Sequence, residues 1–183
     1  MNKEEIIIQL QKTHQQFIET VLGLDDDAFM FAWQGEKWTA GQQLLHIYQS
    51  VAPLNKFLSA KATDIKTMFG IADNPSKNYA ELVESYNTAL GAGVTIASNF
   101  FPKSVELAER EAIIEKLKMA VSTLTSLTAV FSEQEIEEIS VPHPLLGKLT
   151  LREMLYFTIH HATHHHKMTN LSLNAYFQID TSH

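Results

Sequence analysis

No cysteine occurs among the 183 residues. That excludes a disulfide framework, a zinc ribbon, an iron–sulfur site and a cysteine nucleophile, and leaves any metal site to nitrogen and oxygen ligands. Clustered positive charge is also lacking. The chain carries 14 Lys and Arg against 21 Asp and Glu, a net charge of −7, and its basic residues are scattered. Phosphate contacts need clustered cations, so nucleic acid is not an expected partner. No apolar run approaches the roughly 20 residues of a membrane span. The run Ile6-Ile7-Ile8-Gln9-Leu10 behind Asn2-Lys3-Glu4-Glu5 is too short and too soon interrupted for a signal-peptide core. The expectation is a cytoplasmic protein with no membrane partner. Alternation of the β type never persists, and repeats are absent apart from a histidine cluster.

What the chain does have fits one globular domain over residues 1–183. Apolar residues make up 45% and charged residues 19%, ordinary values for a globular domain. A chain this long buries about 70% of its unfolded surface and needs no staple. Ile7, Leu10, Phe17, Ile18 and Val21 recur at helical spacing within residues 3–22, before Gly23 and Asp25-Asp26-Asp27. A loop with Trp33, the turn-like Gly35 and Trp38 follows. Thr39 with Gln42 reads as a capping box opening a helix from Ala40 to about Ala60, kinked at Pro53. Residues 63–77, with Gly70, Asn74 and Pro75, read as a connecting loop. Tyr79 to about Phe100 reads as a helix weakened by Gly91 and Gly93. Beyond Pro102 the pattern is again helical from Ser104 to Phe131. Pro142-His143-Pro144 and Gly147 mark an irregular stretch, after which Thr150 with Glu153 caps a last helix reaching about Leu173. Helices joined in this way most economically form an antiparallel bundle.

Five of the nine histidines fall within seven residues: His160, His161, His164, His165 and His166. Residues four apart share a helix face. Both His160 with His164 and His161 with His165 therefore have chelating spacing, and helical phase favours the second pair only slightly. A solvated histidine face that binds metal opportunistically is an equally good reading of the spacing alone. His46 is a candidate third ligand that spacing does not select. His14 reads as a packed residue, and Trp33 and Trp38 as loop anchors either of which can wall a pocket. Ala162 follows His161 where a zinc protease would place its glutamate, which disfavours peptidase chemistry.

The stretch Trp38-Thr39-Ala40-Gly41-Gln42-Gln43-Leu44-Leu45-His46-Ile47 resembles the first signature of the DinB/YfiT-like superfamily. The stretch from Pro142-His143-Pro144-Leu145-Leu146-Gly147 through Thr150 and Glu153 to His160-His161-Ala162-Thr163-His164-His165 resembles its C-terminal signature. The sequence departs at His166, where such proteins often carry arginine. The resemblance implies an all-α, up-down-down-up four-helix bundle with a long crossover between the second and third main helices. It implies a divalent metal, zinc or nickel foremost, held by His46, His161 and His165. It also implies a transferase that uses a low-molecular-weight thiol of the bacillithiol, mycothiol or glutathione class on a small electrophile, and a homodimer is compatible with it. A non-enzymatic metal-binding stress or interaction protein is the alternative, and a metal-dependent hydrolase a weaker one. His143, just before the last helix, is the candidate catalytic residue. With an ordinary pKa near 6.5 it would bind substrate or shuttle a proton at the open end of the site.

Overall fold

A computed structural model describes residues 1–33, 37–92 and 101–180. The expected turn at Gly35 and the helix-weakening Gly93 lie outside the described residues. Four long helices dominate: α1 (Lys3–Leu22), α3 (Ala40–Leu58), α6 (Arg110–Val130) and α8 (Leu151–Asp180). Shorter helices α2 (Asp26–Met30), α4 (Ala62–Phe69), α5 (Tyr79–Gly91) and α7 (Glu133–Glu138) lie between them. The expected capping boxes form. Thr39 accepts from the Gln42 N–H while Gln42 accepts from the Thr39 N–H, and Thr150 and Glu153 exchange bonds of 3.0 and 2.8 Å.

Contacts between helix ends fix the directions. Lys3 Nζ caps the carbonyls of Ala129 and Phe131, while Arg110 donates to Val21 and Leu24, so α1 and α6 are antiparallel. Gly41 approaches Val105 and Asn55 donates to the Ala120 carbonyl, so α3 and α6 run parallel. His46 meets His161 while Gln43 meets His165, so α3 and α8 are antiparallel. The result is an up-down-down-up four-helix bundle with α1, α6, α3 and α8 in cyclic order. Residues 59–109 form the crossover between its second and third long helices, and α5 within that crossover packs on α8.

Several boundaries differ from the sequence reading. Of the helix expected from Tyr79 to about Phe100, Tyr79–Gly91 is helical and residues 93–100 lie outside the described residues; the one expected from Ser104 starts at Arg110 after a 3-10 turn at Leu107–Glu109. The last helix runs past Leu173 to Asp180 because no glycine or proline stops it. The first part of the loop expected over residues 63–77 belongs to α4, which buries Ile65 and ends at Gly70 with φ +87°. The irregular stretch before α8 is a two-stranded hairpin, β1 (Ser140–His143) paired antiparallel with β2 (Gly147–Thr150). Gly147, at φ +73°, lets the turn close. Pro142 is tolerated because, among the described residues, β2 is the one strand in the sheet with β1.

The core has two parts. At one end Ile6, Leu10, Val51, Leu54 and Leu124 pack with Leu151, Leu155 and Ile159 of α8. At the other, Phe17, Val21, Phe29, Leu44, Ile47 and Leu117 come from α1, α2, α3 and α6 with no residue of α8. There α8 presents histidines.

Candidate metal centre

His46 lies on α3 next to Leu45 and Ile47, both buried. His161 and His165 lie one turn apart on α8, 5% and 7% exposed. Antiparallel packing of the two helices brings all three rings together. His161 Nε2 lies 3.0 Å from His165 Nε2 and 3.2 Å from His46 Nε2. Among the described residues, these three form the one group of potential metal ligands whose donor atoms converge, all within 4.8 Å of one another. An ion held tetrahedrally at about 2.0–2.1 Å sets its ligand atoms about 3.3 Å apart. The two separations from His161, 3.0 and 3.2 Å, are close to that value.

Hydrogen bonding among the rings does not account for this arrangement. His165 Nδ1 lies 2.5 Å from the Gln43 carbonyl oxygen and donates to it, so a neutral His165 carries a bare lone pair on Nε2. One proton on His161 Nε2 can serve one of its two neighbours but not both. A cation satisfies all three lone pairs at once, and the residues fit one divalent ion. Burial, followed by the charges of neighbouring histidines, holds His161 and His165 well below the usual imidazole range. Both are neutral at pH 7, the form that ligates. Trp38 walls the site: it stacks on His165 at 5.8 Å with planes 7° apart, and tilts over His46 at 4.8 Å. Phe101 meets Trp38 edge-on at 6.0 Å.

The remaining histidines separate cleanly. His160 and His164 face α5, where the Tyr86 ring meets them at 5.7 and 6.4 Å. His14 is buried in the bundle, its Nδ1–H donating to the Leu10 carbonyl at 2.7 Å. His166 ties α8 to α1. The Thr20 hydroxyl donates to the Gln16 carbonyl and so accepts from His166 Nε2, at 2.8 Å. The position where such proteins often carry arginine is therefore spent on a helix contact.

His143 stands at the end of β1 and is 6% exposed. Its Nδ1 accepts from the backbone N–H groups of Leu145 and Leu146 at 3.2 and 3.0 Å, which leaves the hydrogen of the neutral ring on Nε2. That Nε2 is buried without a hydrogen-bond partner. The structure does not bring His143 into the three-histidine group; Phe157 touches both, at 4.3 Å from His143 and 4.9 Å from His161. Burial pushes the His143 pKa down to about 4. The ring is therefore neutral at pH 7, with its hydrogen on Nε2.

Sequence reasoning missed Gln43 and Phe157. Gln43 sits one turn before His46, a spacing that marks a shared face, but it followed Gln42, which carries the capping signal. Phe157 is four residues before His161 and reads as ordinary core.

A family model described as the DinB superfamily matches residues 9–168. No curated protein matches the chain. Among solved structures, the crystal structure of TT2238, a four-helix bundle protein, is similar with a TM-score of 0.55. The match covers 90% of this chain and 95% of that one, at 14% identity, and at that identity the likeness speaks for the fold alone.

Proposed function

The chain belongs to the DinB superfamily, and on that premise we propose that it binds one divalent metal ion through His46, His161 and His165 and transfers a low-molecular-weight thiol to a small electrophile. The convergence of the three Nε2 atoms carries the metal assignment. Zinc or nickel suits an all-imidazole set. Three neutral ligands leave a tetrahedral ion one open position, the pattern of catalytic sites. A divalent ion bound there would supply the charge that keeps a coordinating thiol deprotonated at neutral pH.

Other residues supply the rest. The chain has no cysteine, so the sulfur comes from a cosubstrate of the bacillithiol, mycothiol or glutathione class. Trp38 and Phe157 cover the faces of the ligand rings and exclude water from them. His143 would bind substrate or shuttle a proton, its Nε2–H being left without a hydrogen-bond partner. In the transfer itself the sulfur bonds to the electrophilic carbon, the leaving group departs with its bonding pair, and the thiol proton passes to solvent. A hydrolase is less well supported, because the converging group contains no carboxylate to act as base.

Among the described residues no helix is long and apolar enough to cross a membrane. The proposal takes residues 1–183 as one domain, a cytoplasmic protein with a small-molecule partner and no nucleic-acid or membrane partner, and is compatible with a homodimer. The experiment is a screen of thiols against small electrophiles with metal-loaded protein. The proposal expects thiol-dependent loss of an electrophile that His165→Ala abolishes. Stoichiometric metal binding without turnover on any thiol would leave the non-enzymatic binding protein as the better reading.

A further inference from the structure

Gln43 is 6% exposed and lies on α3 one turn before His46. A buried amide needs a partner, and its carbonyl oxygen has one in the Nδ1–H of His165 at 2.5 Å. The carbonyl oxygen can only accept, so Nδ1 of His165 must carry the hydrogen. The opposite constraint on that ring is Trp38, parallel to it at 5.8 Å. Stack and hydrogen bond together leave the imidazole one orientation, with Nε2 toward His161 and His46.

We infer that Gln43 is the positioning residue of the centre, fixing the tautomer of His165 and setting its strength as a metal ligand. The inference rests on the three-histidine metal assignment proposed above. Histidine ligands commonly give their second N–H to a carboxylate or carbonyl, which orients the ring and raises its basicity. Here the acceptor is a neutral amide, which draws on the Nδ1 proton less than a carboxylate does. His165 would therefore donate less charge to a bound ion, and a centre built this way would favour an anion such as a thiolate at its open position. α3 thus serves the centre twice, ligating through His46 and orienting the ligand of α8 through Gln43.

The test is zinc affinity of the untagged full chain, measured by competition with a chromophoric chelator, for the wild type, Gln43→Leu, Gln43→Glu and His46→Ala. Losing the acceptor in Gln43→Leu is expected to weaken binding about 10- to 100-fold. Gln43→Glu keeps the shape and strengthens the acceptor, so it is expected to bind more tightly than the wild type. Its cobalt-loaded form is expected to show visible bands displaced from those of the wild type. A residue that only fills space predicts neither change. Affinity of Gln43→Glu equal to or below the wild-type value overturns the inference, whether or not Gln43→Leu folds. If His46→Ala still releases the metal in that case, the centre stands without the role given to Gln43. A wild-type chain that takes up no zinc overturns both.

Discussion

Helix α8 carries two histidine pairs of identical spacing with opposite fates. His161 and His165 face α3, are buried, and meet His46 and Gln43 there. His160 and His164 face α5 and meet the rings of Tyr79 and Tyr86. The first pair lies where the core has no apolar contribution from α8. Of the second, His160 lines an open groove together with Tyr79, Val83 and Asn87. Chelating spacing is a property of one helix, but a site is a property of two. The partner helix decides, by offering a third imidazole and a carbonyl on one side and tyrosine rings on the other.

The comparison can be broken at its support. Gly41 starts the turn of α3 that leads to Gln43 and His46, and a Cβ there would meet the Phe29 ring at 2.8 and 2.9 Å and Val105 at 3.1 Å. Phe29 is fully buried. Gly41→Ala is expected to destabilise the fold by about 1–3 kcal/mol, measured by urea unfolding, and to weaken metal binding through the inner pair. Unchanged stability and affinity would show that this approach does not position α3.

The comparison is sharpened by a buried histidine that belongs to neither pair. His14, 1% exposed, has its pKa pushed by burial from 6.5 to about 4. The folded state then binds fewer protons than the unfolded one between those values. The contribution is present above pH 6.5 and is lost as pH falls toward 4. Metal-free protein is expected to lose about 2 kcal/mol between pH 7 and pH 5 from this group alone. His14→Leu should flatten the urea-midpoint profile in that window by a like amount. A variant as acid-sensitive as the wild type would assign the effect to other groups.

Most of the bundle was legible in sequence because its long helices announce themselves through apolar spacing and through caps at Thr39 and Thr150. The hairpin was not. Four-residue strands are too short for alternation to register, and Pro142 and Pro144 read as breakers. Helix α4 hides for a similar reason: only Ile65 is buried in it, and its context is supplied by tertiary contacts such as the 2.6 Å pair of Lys66 with Glu138. At the site, spacing offered two histidine pairs and ranked them weakly, since the choice between them is made by α3 and α5. His46 could be named from resemblance but not from its phase. Gln43 could not be named at all, because its role depends on the antiparallel register that sets it opposite His165.

The central claim is tested most directly by counting metal. Untagged protein never exposed to nickel resin should be assayed by elemental mass spectrometry in three forms: wild type, His46→Ala, and the double variant His160→Ala with His164→Ala. The account predicts about one ion per chain in the wild type and in the double variant, and background levels in His46→Ala. Metal retained by His46→Ala but lost from the double variant, or absent from the wild type, would contradict it.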